Sequence, residues 1–566
     1  MADNASHLIN ARALSGGHAF SFSSQPYLGE LFKAVSSDSA ALTIVVGAGV
    51  SVNSGLPSWR ELIDKLIDRI DDSTGDIRNM ARAFDADAAR KADLVLQLAR
   101  RFDHNVREDE LIRDSLYPKN SPAQAGSLAK AIARLVVTRS STSYLVTTNF
   151  DVLLEDALTA LTGSSGAIRS FGLDEYTDWK AWCEVSGNFG ILHVHGIVRQ
   201  GGDPTEPIIL TQSQFLRHGA EVQGRIGDIL KDSTGLFVGL SMTDPNLIGP
   251  LYLRASGGHA LPLFSLTVAE LDAGPSELRQ QQAEFAVESV RFLNAQLGLS
   301  PILLKSYSQL DQVISDLALA VREPTRYKRR VVGGVDSLYY GRRSQKAIDR
   351  CHRAIGSAKS PFVPAGADAA ALSTKLRDAL TAPRGPQRLL RQLATEYGVK
   401  YPAGEQEAFG LYLWLRALDT EEGEPTYSLK LVGASAFQAL DPWFIGRKVP
   451  IVRQTNYAAA QSVYTGNMVK ANLDSGLNSG IWRGVFAVPI ILTEESSTQS
   501  VNGDPLDRII VGALTLDSTY YVDQATAPAA SSPTNSRRGV LTVLNAEDQE
   551  KVRRSLAIAA AKVLQP

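Results

Sequence analysis

The chain has very little cysteine: Cys183 and Cys351 are the two thiols among its 566 residues. Two cysteines cannot build a disulfide framework, and they cannot supply the four ligands of a cysteine zinc site. No structural zinc is therefore expected, and no residue is predicted to bind a metal. A low cysteine content is also typical of a reducing compartment, so a cytoplasmic protein is predicted.

Long apolar runs and an excess of one charge are also missing. No stretch approaches the roughly 18 consecutive apolar residues that indicate a membrane helix, and residues 1–39 lack the basic start and apolar run of a signal peptide. The chain carries 58 Lys and Arg against 60 Asp and Glu, a formal net charge of −2. Affinity for nucleic acid usually rests on a surplus of basic residues, so a nucleic acid is not expected as a partner. The missing apolar run means that a membrane is not expected either.

Hydrophobic residues make up 44% of the chain, which is enough for packed cores. Apolar runs alternate with helical patterns between residues 41 and 322. The runs are continuous, as in parallel strands buried on both faces, so the pattern predicts an α/β domain with a parallel, Rossmann-type sheet. We place this domain at residues 1–325. The five clearest runs are 42–46, 144–147, 191–194, 236–238 and 264–268.

The remaining chain divides into two parts. Residues 326–400 are mostly helical in pattern and are predicted to form a helical connector. Residues 401–566 show the two-residue periodicity of strands, which begins with Phe409, Leu411, Leu413 and Leu415 at every second position. Further strands are expected at 427–433, 484–492 and 509–516, with helices at 457–473 and 545–564. These elements predict an α+β domain.

A glycine-rich loop follows the first apolar run and leads into a helical pattern. Its notable residues are Gly47, Ala48, Gly49 and Ser51. Glycines in such a place let the backbone approach a pyrophosphate, and N–H groups near a helix start favour anions. The dehydrogenase fingerprint fails because Val52 occupies its third glycine position. Taken alone, the loop is either a phosphate-binding loop or a tight strand-to-helix turn.

Three further motifs stand at predicted strand ends. They are Thr147-Thr148-Asn149-Phe150-Asp151, His193-Val194-His195-Gly196 and Gly239-Leu240-Ser241-Met242-Thr243-Asp244-Pro245-Asn246. Because open α/β sheets bind ligands at the carboxyl ends of their strands, we expect these residues to converge.

The four motifs, in this order, resemble those of the sirtuin superfamily: its glycine loop, its Thr-x-Asn-x-Asp, its His-Gly and its Gly-x-Ser. The resemblance covers roughly residues 43–321. The form that these motifs take in this chain is similar to that of the sirtuin-like domains of bacterial antiviral defence systems, such as the Thoeris effector. Many of those domains cleave NAD to ADP-ribose and nicotinamide, so the resemblance implies NAD as the substrate.

The resemblance also implies roles for individual residues. Asn149 and His195 are the expected catalytic residues, because an amide can orient water or ribose and an imidazole is a near-neutral acid or base. For Asp151 and Asp244, capping of the following helix or turn is an open alternative. His193 is expected to be structural. The residues expected to bind NAD are Gly47, Ala48, Gly49, Ser51, Asp151, Gly239, Ser241 and Asp244.

The cysteine shortage bears on the reaction. Protein-deacylating sirtuins carry a zinc module held by four cysteines, which this chain cannot supply. The sequence therefore favours hydrolysis of NAD over protein deacylation. An NAD-dependent deacylase and a non-catalytic sensor of NAD or ADP-ribose are the alternatives.

The C-terminal part resembles a GAF domain in three segments, 409–415, 484–490 and 511–518. GAF domains sense small ligands, and many dimerise. Residues 401–566 are therefore expected to form a GAF-like sensor or dimerisation domain. The resemblances together imply a homo-oligomer, and they imply an activating ligand or a phage-derived trigger as a partner.

Overall fold

In the computed structural model the chain forms two compact units. One comprises Met1–Tyr340 with Ser500–Leu506, and the other comprises Gly341–Gln499 with Asp507–Pro566. The structure describes residues 27–37, 40–70, 75–102, 107–117, 123–139, 142–201, 207–257, 261–268, 276–304, 307, 310–322, 330–332, 335–337, 339–355, 366–401, 405–417, 428–435, 446–451, 455–473, 482–492, 500–501, 504–505, 509–522 and 539–564.

The first unit is built on a seven-stranded sheet in which all neighbouring strands are parallel. Its order along the sheet is β3-β4-β2-β1-β5-β6-β7, which confirms the predicted parallel α/β fold class. The strands are β1 Ala41–Val46, β2 Ser143–Thr147, β3 Ile168–Phe171, β4 Phe189–His193, β5 Ser233–Val238, β6 Leu263–Val268 and β7 Leu299–Leu304.

Both faces of this sheet are covered, which explains the continuous apolar runs. In β1, Leu42, Ile44 and Val46 belong to one apolar cluster, whereas Val45 belongs to a second cluster on the opposite face. Successive side chains of a strand point to opposite faces, so both alternating sets must be apolar.

Helices connect these strands. They are α1 Leu28–Ser36, α2 Ala48–Asn53, α3 Trp59–Asp68, α4 Asp76–Ala83, α5 Ala88–Phe102, α6 Glu108–Leu116, α7 Ser127–Thr138, α8 Leu153–Thr162, α9 Tyr176–Cys183, α10 Gln212–Lys231, α11 Pro245–Ser256, α12 Ser276–Leu297 and α13 Leu310–Arg322. A hairpin of β8 Arg330–Val332 and β9 Val335–Ser337 follows. None of the described helices is long and apolar enough to cross a membrane.

The second unit contains a six-stranded antiparallel sheet with the order β12-β11-β10-β17-β14-β13. Its strands are β10 Phe409–Arg416, β11 Ser428–Ala434, β12 Lys448–Pro450, β13 Val469–Asn472, β14 Gly484–Leu492 and β17 Ile509–Ser518. The short strands β15 Ser500–Val501 and β16 Asp504–Pro505, which fall within the first unit, pair with each other. The helices of the second unit are α14 Tyr339–Ala354, α15 Gly366–Thr381, α16 Pro386–Glu396, α17 Ala458–Thr465 and α18 Ala546–Leu564.

The predicted helix at 457–473 is wrong in its second half. Gly466 has a φ of 68° and ends α17, so Val469–Asn472 becomes an edge strand of the sheet. Helices α15 and α18 pack against the sheet from the face of Gly433, whose added Cβ would lie 2.5 Å from a Leu372 methyl carbon. The unit is therefore an α+β fold with helices against an antiparallel sheet, as the strand pattern predicts.

Candidate functional site

The predicted site residues lie at one edge of the parallel sheet. Strands β2, β3 and β4 lie on one side of β1, whereas β5, β6 and β7 lie on the other. The strand order therefore reverses between β1 and β5, which is where open α/β sheets form a ligand crevice. The loops that follow β1, β2, β4 and β5 carry every residue assigned to catalysis or NAD binding.

The glycine loop packs tightly against the loop that follows β5. The Gly49 N–H donates to the Gly239 carbonyl at 2.8 Å, and the Gly47 N–H donates to the Val238 carbonyl at 3.0 Å. A Cβ on Gly49 would lie 2.7 Å from Gly239 Cα, closer than real Cβ contacts. The close contact with this neighbouring loop requires glycine at position 49, and the sequence pattern alone did not indicate this contact. Ala48 starts the short helix α2 and is half-buried.

Asn149 is fixed by two hydrogen bonds from its amide nitrogen. Nδ2 donates to the Gly47 carbonyl at 2.9 Å and to the Ser51 hydroxyl at 2.7 Å. The Ser51 hydroxyl donates its own hydrogen to Asp151 Oδ2 at 2.5 Å, so it must accept from Asn149. Both amide hydrogens are thus used within the protein. Only Oδ1 remains, so Asn149 can offer a ligand or water a hydrogen-bond acceptor.

Asp151 is buried and uses both carboxylate oxygens. Oδ2 accepts from Ser51, and Oδ1 accepts from the Leu153 N–H at 3.2 Å, at the start of α8. Burial raises the pKa of Asp151, although these two hydrogen bonds act in the opposite direction. The capping alternative for Asp151 is therefore present in the structure, and the residue links the glycine loop to the first turn of α8.

His195 lies just beyond the end of β4, and the residue is 2% exposed. Among the described residues, neither ring nitrogen makes a hydrogen bond of good geometry. Asp244 Oδ2 lies 3.4 Å from Nε2, and the Phe215 ring meets the imidazole edge-on at 5.2 Å between centroids. Burial lowers the pKa of His195, while the Asp244 carboxylate and the Thr148 backbone act to raise it. A buried imidazole without a well-formed hydrogen bond is uncommon and calls for an explanation.

The loop after β5 holds the other predicted residues. Gly239 has a φ of 68°, and Met242, with a φ of 54°, is the one non-glycine residue with positive φ in the described part of the chain. The Ser241 hydroxyl is 2.7 Å from that of Thr243. Asp244 Oδ1 accepts from the Asn246 N–H at 2.9 Å and so caps α11. The capping alternative for Asp244 is thus present, alongside its approach to His195.

Comparison with protein families agrees with this geometry. Residues 143–286 match the family model of the SIR2-like domain. This part of the chain is similar to the SIR2-like domain. The matched segment contains Asn149, His195 and Asp244, whereas the glycine loop precedes it. None of the curated proteins matches the chain.

Solved structures show weaker similarity. A Sir2 homologue in complex with NAD shares 14% identity, with a TM-score of 0.26, over 52% of this chain and 94% of its own. A mutant Sir2 homologue in complex with ADP-ribose shares 15% identity, with a TM-score of 0.26, over 53% and 99%. A structure described as a basis for the mechanism and regulation of Sir2 enzymes shares 13% identity, with a TM-score of 0.28, over 53% and 99%.

A second histidine of the matched segment, His193, is held by protein groups on both nitrogens. His193 Nε2 lies 2.8 Å from Glu155 Oε1, and Nδ1 lies 3.0 Å from the Asn149 carbonyl. Burial disfavours the charged imidazole, but Glu155 outweighs this effect and raises the pKa of His193. The pair therefore holds the backbone of Asn149, which agrees with a structural role for His193. Glu155 was missed in the sequence, although an acidic residue amid the buried apolar residues of α8 is a visible signal.

Aromatic side chains form a series of ring contacts that ends at His195. Trp59 of α3 lies 6.1 Å from Phe150 and 6.0 Å from Phe215, measured between ring centroids. Phe215 in turn contacts His195. Among the described residues, no group of three or more His, Cys, Asp and Glu is placed to hold a metal ion.

Proposed function

We propose that the chain is an NAD hydrolase, which cleaves NAD to ADP-ribose and nicotinamide. The observation that carries this proposal is His195, a buried imidazole whose two nitrogens make no well-formed hydrogen bond within the described part of the chain. It lies 3.4 Å from the Asp244 carboxylate, at the edge of the sheet where Asn149 has its amide hydrogens bonded and its Oδ1 left as an acceptor. Burying such a group without hydrogen bonds costs stability, and this cost is expected at a reactive site.

The proposed reaction uses these two groups in different ways. The bond between nicotinamide nitrogen and ribose C1′ breaks, nicotinamide leaves as a neutral molecule, and a water oxygen bonds to C1′. The proton released by that water passes to His195, which acts as a general base in its neutral form. Asn149 Oδ1 accepts a hydrogen bond from the water or from a ribose hydroxyl. The neutral form is available at pH 7 because burial lowers the pKa of His195.

Purified protein should release nicotinamide and ADP-ribose from NAD, measured by chromatography. His195→Ala and Asn149→Ala should each lower the rate by about 10²-fold or more, as expected for loss of a general base or an orienting group. His218→Ala is the matched control, because it removes an imidazole from α10 of the same unit. Wild-type rates in both site variants would show that the residues are wrongly assigned.

Two other functions make different predictions. A protein deacylase would release nicotinamide only when an acyl-lysine peptide is present. A non-catalytic sensor would bind NAD or ADP-ribose in calorimetry without turnover. Hydrolysis is favoured because two cysteines cannot form the zinc module of the deacylating sirtuins.

We also propose that the second unit is a GAF-like sensor or dimerisation module. The support lies on one face of its sheet, where Tyr412, Thr515 and Ala487 stand opposite one another on adjacent strands. Asp517 is on the same face, and its Oδ1 is buried without a partner in the described part of the chain. Trp482 lies edge-on to Tyr412 at 6.3 Å. Tyr412, Thr515 and Ala487 are buried, and Ala487 packs in an apolar cluster with Ala458 of α17. A planar ligand with an N–H donor would suit this aromatic and acidic interior.

The biological setting that we propose is regulated antiviral defence by abortive infection. The support is the resemblance of the four motifs to sirtuin-like defence effectors, together with the second unit on the same chain. Unrestrained loss of NAD would kill the cell, so the enzyme must be held inactive until a phage-derived trigger or another activating ligand arrives. We further propose that the active form is a cytoplasmic homo-oligomer.

A further inference from the structure

The partner of His195 is a carboxylate held in place by its own helix cap. Asp244 uses Oδ1 to accept from the Asn246 N–H, and its carbonyl accepts from Leu247 and Ile248 in the first turn of α11. The carboxylate therefore has little freedom to rotate. Its second oxygen, Oδ2, is directed to Nε2 of His195 at 3.4 Å.

The loop that delivers Asp244 is bent and anchored. It leaves β5 through Gly239 and passes Met242, both with positive φ, and such backbone in a non-glycine residue costs about 1 kcal/mol or more. The Gly239 carbonyl accepts from Gly49, which ties the loop to the strand-to-helix turn after β1. A turn that served only to start α11 would not need to place a carboxylate beside a buried imidazole.

Asp244 is the charged group that faces His195 among the described residues. The other neighbours are the Phe215 ring from α10 and the Thr148 backbone after β2, and neither carries a net charge. A proton gained by His195 in this buried place would therefore be balanced by Asp244 alone. An aspartate that orients an imidazole and stabilises its imidazolium form is a recurrent device in hydrolases.

We infer that Asp244 is a positioning residue, which fixes the orientation of His195 and stabilises the imidazolium formed during the reaction. This inference rests on the proposed hydrolase function for its effect on rate. Its effect on the histidine itself does not depend on that function.

The variant Asp244→Asn separates the charge from the cap, since asparagine caps helices about as well as aspartate. We expect kcat/KM for NAD to fall by about 10²-fold. Loss of the carboxylate should also lower the pKa of His195, so the acidic limb of the pH profile should move to lower pH. Asp87→Asn is the matched control, because Asp87 also accepts from a backbone N–H, that of Arg90, at the start of a helix in the same unit.

Histidine-selective NMR provides a readout that needs no turnover. The chain has eight histidines, and His195→Gln identifies the resonance of His195 by its loss. A lower pKa of His195 in Asp244→Asn, with no change in Asp87→Asn, supports the inference. This holds even if the wild-type protein releases no nicotinamide, because that outcome would overturn only the hydrolase proposal. An unchanged pKa of His195, or an active enzyme with wild-type rate and pH profile in Asp244→Asn, overturns the inference.

Discussion

At the scale of single residues, the structure separates what a side chain could do from what its neighbours leave it free to do. Asn149 carries a donor and an acceptor, but Gly47 and Ser51 use both of its amide hydrogens. Asp151 has two acceptor oxygens, and Ser51 and Leu153 use both. His195 is the contrasting case, because neither nitrogen makes a well-formed hydrogen bond to any residue that the structure describes. The group with unsatisfied hydrogen-bonding capacity is therefore the best candidate for chemistry.

Gly49 gives a prediction at this scale. In Gly49→Ala the added Cβ would meet the backbone of Gly239 at 2.7 Å, and a backbone cannot move aside as a flexible side chain can. We expect the free energy of unfolding to fall by about 1–3 kcal/mol, the usual cost of overpacking. Chemical denaturation measures the free energy of unfolding, and an NAD turnover assay measures the effect of the same change on activity.

The matched control for Gly49→Ala is Gly224→Ala in α10, where an added Cβ meets nothing within 4 Å. That change should stabilise the protein by about 0.5–1 kcal/mol, because alanine favours a helix interior. Equal stability of the two variants would contradict the close approach of the two loops.

At the scale of elements, the sequence predicts those strands whose position is set by the pattern of hydrophobic residues. The continuous apolar runs predict the buried central strands, for example 42–46 for Ala41–Val46. The edge strand Ile168–Phe171 was missed, because it is short and includes the exposed Arg169. The four motif positions and their common edge were predictable from strand polarity. The contact of Gly49 with Gly239, and the Glu155–His193 pair, join positions far apart in the chain, so no local pattern indicates them.

The second unit's sheet face gives a prediction with a pH dependence. Burial raises the pKa of Asp517 to about 7, above its unfolded value of 3.8, although Thr515 donates a hydrogen bond to it. The folded state therefore binds the extra proton between these pH values, so this group lowers stability as pH rises from about 4 to 7. At pH 7.5 we expect the free energy of unfolding of Asp517→Asn to exceed that of wild type by about 1–3 kcal/mol, and so its unfolding temperature to be higher. Near pH 4 the two proteins should match.

The control for Asp517 is Asp378→Asn, an exposed carboxylate on α15, which should change stability by less than about 0.5 kcal/mol. Calorimetry at pH 4 and 7.5 measures both variants. A lower unfolding temperature for Asp517→Asn at pH 7.5 would show that the carboxylate has a stabilising partner. A stabilised variant would agree with a ligand site at Asp517, where the buried carboxylate lowers the stability of the ligand-free protein.

At the scale of the whole molecule, two units of different construction share one chain. The parallel sheet collects its polar residues at one edge, where loops from distant parts of the sequence meet. The antiparallel sheet instead places polar and aromatic side chains on a face, among them Tyr412 and Asp517. Two such surfaces suit a division between chemistry and sensing, which is the basis of the regulated enzyme that we propose.

Infected cells provide the test at this scale. Bacteria producing the wild-type chain should grow normally, because the restrained enzyme spares NAD, and should lose most of their NAD after infection by a phage that supplies the trigger. Cells producing His195→Ala should keep their NAD and release more phage, since the buried imidazole is the general base of the proposed reaction. Cells producing His218→Ala should behave as wild type. Extracted NAD and phage yield are measured in parallel over one infection cycle. Equal NAD loss with His195→Ala would mean that the fall in NAD comes from another enzyme or from lysis, and the defence role would then have to rest on binding alone.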